Sequence, residues 1–232
     1  MPLGLDPLYL IMIAPVFLLS MFSSFRVKSA FKKYSKVYVR SGLTGAEVAR
    51  RILDKNGLND VAVVETTGFL SDHYDPSKRV VRLSPDVYRN ATISAVGVAA
   101  HETGHAIQHK LLYRPLVLRN MMVPVASIGS NLSWIVIMAG FLMGALGLVK
   151  VGIVLFSVVV FFQVITLPVE FNASSRAKKI LASTGMVSGS EAAGVSSVLS
   201  AAAMTYVAAA ASSIMTLIYF LMRAGLLGGR DD

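Results

Sequence analysis

His101-Glu102-Thr103-Gly104-His105 is an H-E-x-x-H pentad within the stretch VAAHETGHAIQH, Val98 to His109. On a helix, residues four apart share a face, so both imidazoles can reach one ion. Glu102 lies beside them, where its carboxylate can take a proton from a water that the ion activates. Zinc is the metal such a set fits, and a catalytic zinc takes three protein ligands and leaves one position open. A third ligand is therefore owed. The chain has no cysteine, so that ligand must be His, Asp or Glu, and disulfides, thiolate sites and thiol nucleophiles are excluded. The rival reading of the pentad is a buried helix whose histidines hydrogen-bond to their neighbours.

His109 extends the four-residue spacing. On an uninterrupted helix, however, it would sit about 12 Å along the axis from His101 and about 80° round it, too far for a bond of about 2 Å. It reads instead as a polar interfacial residue. Glu170 fits better, because it follows a long apolar run in LPVEFNASSRAKK, where an acidic residue against a bilayer needs a partner. Its rival roles are an interfacial cap and a partner for Arg176.

The elements that must position these residues read as membrane. The chain has 232 residues, 54% hydrophobic and 15% charged, with mean hydropathy +0.63, too apolar for an ordinary soluble domain. Four apolar runs reach the spanning length of about 20 residues: Pro7–Phe25, Val123–Val149, Val151–Val169 and Ala201–Met222. The first has no basic residue ahead of it and reads as a retained anchor rather than a cleaved signal. The second and third are parted only by Lys150, which predicts a tight hairpin turning there. Pro15, Pro124 and Pro168 fall within or at the ends of these runs, where membrane helices tolerate proline. Gly140, Gly144 and Gly147 have the small-residue spacing that permits close helix contact, within the hairpin or between two copies of the chain.

Charge then assigns sides. The net charge is +9; Arg26, Lys28, Lys32, Lys33, Lys36 and Arg40 follow the first run, and Arg176, Lys178 and Lys179 follow the third. The positive-inside rule puts both segments in the cytoplasm. The N-terminus, the Lys150 turn and the C-terminal GGRDD are then outside, and Glu170 shares a side with His101 and His105. No nucleic-acid motif accompanies the basic cluster, and anionic lipid is its nearer partner, so nucleic acid is not an expected ligand.

The expected fold is a mainly α-helical integral membrane protein, with four transmembrane helices and a small cytoplasmic α+β domain. Its segments are 1–25, the first transmembrane helix; 26–122, a cytoplasmic basic stretch and the pentad-bearing domain; 123–169, a transmembrane hairpin; 170–200, a cytoplasmic segment with the third ligand; 201–222, the last transmembrane helix; and 223–232, a tail. Within 26–122, Thr44 and Glu47 form a capping box that opens a helix ending at Gly57. Val61–Glu65 and Arg79–Leu83 read as strands around the turn-rich DHYDPSK. Ser84-Pro85 starts a helical stretch, and Thr92 to Tyr113 reads as one helix carrying the pentad.

Several separated stretches, DHYDPSKRVVRLSPDVY, AVGVAAHETGHAIQH, LPVEFNASSRA and VLSAAAMTYVAAA, resemble in that order the YugP-like neutral zinc metallopeptidases, small bacterial inner-membrane proteins. The resemblance covers most of the chain from Leu43 onward. It implies a zincin-like catalytic domain of the gluzincin kind, one Zn2+ per chain, His101, His105 and Glu170 as ligands, and Glu102 as general base. One position departs: Asn172 stands where the family pattern usually has an aspartate that would orient a ligand imidazole. Asparagine can accept that hydrogen bond but lends no charge, which would weaken zinc affinity or water activation.

The expected reaction is hydrolysis of peptide bonds in extended or unfolded membrane proteins at the cytoplasmic surface, as in quality control or processing. His73, Tyr74 and Arg176 are candidate donors to the oxyanion, and a structural hydrogen bond is the rival role of each. Arg79, Val80, Val81, Arg82 and Leu83 read either as an edge strand that pairs with an extended substrate or as an interior strand. Cleavage within the bilayer is disfavoured, because the pentad helix carries His105, Gln108, His109 and Lys110 and the spanning runs lie elsewhere. The rival from another class is a weak or inactive membrane scaffold or regulator that retains a zinc site. A transporter is disfavoured, since the spanning runs hold few ionisable groups. Expected partners are the lipid bilayer, a peptide or protein substrate, and a second copy or a membrane regulator.

Overall fold

The computed structural model describes residues Asp6 to Leu227. Among these the chain is mainly helical, in the order α1 (Pro7–Tyr34), α2 (Gly45–Lys55), β1 (Ala62–Glu65), β2 (His73–Asp75), β3 (Val80–Leu83), α3 (Pro85–Tyr88), α4 (Ile93–Lys110), α5 (Arg114–Leu142), α6 (Leu146–Ser183) and α7 (Gly189–Arg223). Four of them, α1, α5, α6 and α7, are long and apolar enough to cross a membrane. The expectations for residues 1–5 and for GGRDD lie outside the described residues.

The helices do not stop where the apolar runs stop. Basic Arg26, Lys28, Lys32 and Lys33 belong to α1, and Glu170 is inside α6 rather than in a segment that follows it. Hydropathy marks where side chains change character, whereas the backbone ladder continues through lysine, arginine and alanine, which are good helix formers.

The chain divides into two compact units. In the first (described residues 6–23, 118–167 and 205–227), Ile137, Val149, Ile153, Phe156, Tyr219 and Phe220 form a buried cluster. Trp134, Phe156 and Phe220 meet edge to face, with ring centroids 5.2–6.3 Å apart. The Tyr219 hydroxyl donates to Asp6 Oδ2 at 2.9 Å. The α5–α6 hairpin turns at Gly144, φ +64°, not at Lys150, which is inside α6. A left-handed residue ends a helix far more readily than a lysine does, and glycine takes that conformation without steric cost. The two helices approach closely: a Cβ on Gly140 would lie 2.7 Å from Val149 N, while one on Gly147 would meet nothing within 4 Å.

The second unit (24–117 and 168–204) holds the sheet and the pentad. Its α2 opens with the expected capping box: Glu47 N donates to Thr44 Oγ1 at 3.3 Å, and Thr44 N donates to Glu47 Oε2 at 2.8 Å. Val48, Ile52 and Leu53 of that helix are buried and pack with Val96, Ala99 and Ala100 of α4. Burying such aliphatic side chains is worth about 1.5–3 kcal/mol each. Thr92 caps α4, accepting from Ala95 N.

The three-stranded sheet has the order β1-β3-β2, with β1 parallel and β2 antiparallel to β3. This corrects the edge-strand reading of Arg79–Leu83. Val80, Val81, Arg82 and Leu83 form the central strand, paired on both sides, and Arg79 precedes it with φ +50°. The burial of Val80, Val81 and Leu83 on both faces suits an interior position.

Candidate metal centre

Helix α4 places His101 and His105 one turn apart, and α6 brings Glu170 to them. Glycine at the fourth pentad position permits that approach: a Cβ on Gly104 would lie 2.9 Å from the Ala173 carbonyl oxygen and 3.3 Å from its Cα. Ala173 and Ala177 on α6 and Ala100 and Ala106 on α4 are buried. The small residues therefore let the two backbones close.

Three donor atoms converge. His101 Nε2 lies 3.2 Å from Glu170 Oε2, His105 Nε2 lies 3.6 Å from the same oxygen, and the two Nε2 atoms are 3.2 Å apart. Four ligands placed tetrahedrally at zinc bond lengths of about 2.0–2.2 Å stand about 3.3–3.6 Å from one another. The triangle of donors fits that spacing. The imidazole side chains are 12% exposed and the Glu170 side chain 4%, so the three donors are largely shielded from solvent. Among the described residues these three form a group able to hold a metal ion, and His109 is not part of it.

Glu102 is buried, 8% exposed. Burial pushes its carboxyl above the ordinary value, against the opposing pull of His101 and His105. Burial alone would lower His105, but the hydrogen bond and charge of Glu170 outweigh it and leave the imidazole raised.

The sequence reading missed two neighbours of the ligands. Gln108 Oε1 is 3.0 Å from His105 Nδ1, and Ser174 Oγ is 3.1 Å from His101 Nδ1. Both are buried polar residues, at 0% and 8% exposure, one helical turn from a ligand on the ligand's own helix. That spacing is the signal that could have found them. Asn172 was expected on an imidazole; the structure puts Gln108 there instead. Asn172 Oδ1 accepts from Gln108 Nε2 at 3.0 Å and from Arg176 Nε at 2.7 Å. Asn172 acts one residue further out because Gln108 fills the space between.

The three oxyanion candidates each make a structural hydrogen bond. His73 Nδ1 is 2.8 Å from the Ser71 carbonyl, the Tyr74 hydroxyl is 2.9 Å from His109 Nδ1, and Arg176 Nε is bonded to Asn172.

A family described as "Putative neutral zinc metallopeptidase" matches residues 9–225. The chain is 56% identical over 214 residues to a Bacillus subtilis (strain 168) protein named "Putative membrane protease YugP", covering 92% of this chain and 94% of that one. No solved structure gives a significant match.

Proposed function

Because this chain belongs to the neutral zinc metallopeptidase family, we propose that it hydrolyses peptide bonds, with one zinc ion held by His101, His105 and Glu170 and with Glu102 as general base. The observation that carries this reading is the convergence of the three donor atoms at zinc spacing. When bound, zinc supplies Lewis acidity, polarising a carbonyl and making a water a stronger acid. The imidazoles contribute Nε2 lone pairs and Glu170 contributes Oε2. Glu102 takes the proton of the attacking water on its carboxylate and passes it to the leaving amine nitrogen. A carboxyl raised by burial is suited to that shuttle, since its proton affinity moves toward the working pH.

The substrates we infer are extended or unfolded segments of membrane proteins, met on the cytoplasmic side. The clusters Arg26–Arg40 and Arg176–Lys179 support that side through the positive-inside rule. The protein would then sit in the inner membrane with its N- and C-termini outside. Quality control of membrane proteins suits such a site, and a second copy or a membrane regulator would be its natural partner. The scaffold reading drew on Asn172 lacking charge. Here that side chain serves as an acceptor for Gln108 and Arg176, which a neutral amide does well, so the peptidase reading stands ahead.

The test is zinc content per chain, by mass spectrometry on detergent-purified protein, beside Glu170→Ala. About one zinc in the wild type and a clear loss in the variant are expected. No zinc in the wild type, after zinc has been supplied, would overturn the reading.

A further inference from the structure

Gln108 is fully buried, 0% exposed, and every group of its amide is committed. Its Nε2 donates to the Val169 carbonyl at 2.8 Å and to Asn172 Oδ1 at 3.0 Å. An amide nitrogen has two hydrogens, so both are used, and Oε1 is left facing His105 Nδ1 at 3.0 Å. Asn172 is fixed in the same way. Its Oδ1 also faces Arg176 Nε at 2.7 Å, and an arginine Nε only donates. Turning Gln108 over would set its oxygen against two other oxygens.

Gln108 Oε1 only accepts, so the facing His105 Nδ1 carries a hydrogen. A neutral imidazole has one hydrogen, so His105 Nε2 presents a lone pair toward Glu170 and His101. His101 is placed differently. Its Nδ1 faces the Ser174 hydroxyl at 3.1 Å, which can donate or accept. Its Nε2 faces two acceptors at 3.2 Å, Glu170 Oε2 and the His105 lone pair.

Resting on the zinc reading above, we propose that Arg176, Asn172 and Gln108 form a relay that locks His105 in its Nδ1–H tautomer in the metal-free chain, while His101 beside Ser174 carries its hydrogen on Nε2. The relay residues are positioning residues. They keep one ligand lone pair aimed before a metal arrives, and the adaptable serine lets the other imidazole rearrange. Partners of this kind are worth about 10- to 100-fold in metal affinity.

The chain has four histidines, so selective 15N-histidine labelling of the full-length protein in detergent gives a readable long-range proton–nitrogen spectrum. It is recorded metal-free, at a pH above the imidazole range, with His73→Gln and His109→Gln used for assignment. The expected result is Nδ1–H at His105 and Nε2–H at His101. In Gln108→Met, His105 loses its Nδ1–H preference and zinc affinity falls about 10- to 100-fold. Asn172→Leu, which keeps Gln108 and its bond to the Val169 carbonyl but removes the second acceptor of its amide, weakens the Nδ1–H preference at His105 and covers the case in which Gln108→Met does not fold. An Nε2–H tautomer at His105 in the wild type, or an unchanged Nδ1–H preference in whichever of the two variants folds, overturns the relay. The wild-type spectrum is read without metal, so the relay can hold while zinc content fails, and the two readings fall separately.

Discussion

Gly104 of α4 lies against the main chain of Ala173 on α6, so closely that a methyl group on its Cα would stand 2.9 Å from the Ala173 carbonyl oxygen. The same contact lets Glu170, one turn earlier on α6, reach the imidazoles.

Gly104→Ala therefore tests whether helix proximity builds the site. Alanine would gain about 1 kcal/mol of helix propensity over glycine, but overpacking against backbone costs about 1–3 kcal/mol. A lower unfolding midpoint and reduced zinc content are expected, read by thermal denaturation and mass spectrometry. A higher midpoint with full zinc content would show that the helices do not need this approach.

Glu102→Gln separates metal binding from proton transfer. The amide is close in size to the carboxyl but cannot take a proton from water, and general bases contribute about 100- to 10,000-fold. Zinc content should stay at the wild-type level while hydrolysis of an unfolded protein substrate falls by that order. Substantial residual hydrolysis would assign the base elsewhere.

Zinc affinity should fall as the pH is lowered, and earlier than for an ordinary histidine site. Zinc takes the unprotonated imidazole, and the proton competes with it. His105 is raised by Glu170 against the effect of burial, so this competition begins above the ordinary imidazole value of about 6.5. Affinity is full above the raised value and is lost progressively as the pH drops through it. Competition titrations with a chelator across the neutral range would measure the profile. A flat profile down to the ordinary value would contradict the assigned effect of Glu170.

Much of the site was legible because it depends on local spacing. The pentad needed only helical periodicity, and Glu170 stood out as an acidic residue beside a bilayer run. Ser174 was not legible as a partner of His101, since that contact depends on α4 meeting α6. Gln108, three residues after His105 on the same helix, carried a spacing signal that went unused. The order of the sheet was also hidden: β1, β2 and β3 are three or four residues long, too short for alternation to tell a central strand from an edge. The hairpin turn was misplaced because hydropathy registers the charge of Lys150 and not the backbone freedom of Gly144. The capping box of α2 was read correctly, since its two residues bond only to each other's neighbourhood.

A pair of substitutions checks the relocated turn. Gly144 has φ +64° and open space around its Cα, so Gly144→Ala isolates backbone strain, about 1–2 kcal/mol for a left-handed alanine. Gly147→Ala, inside α6 with nothing within 4 Å of the added methyl, should be neutral or stabilising. Equal effects on the unfolding midpoint would place the turn elsewhere.

His101 and Glu170 are 69 residues apart in sequence, in a chain without cysteine. An ion shared between them would be a cross-link as well as a reagent. It would bind only the folded arrangement, so it would raise unfolding free energy with the logarithm of free zinc above its dissociation constant. Withdrawing zinc would then loosen the tie between α4 and α6, making metal supply a determinant of how long the protein itself survives.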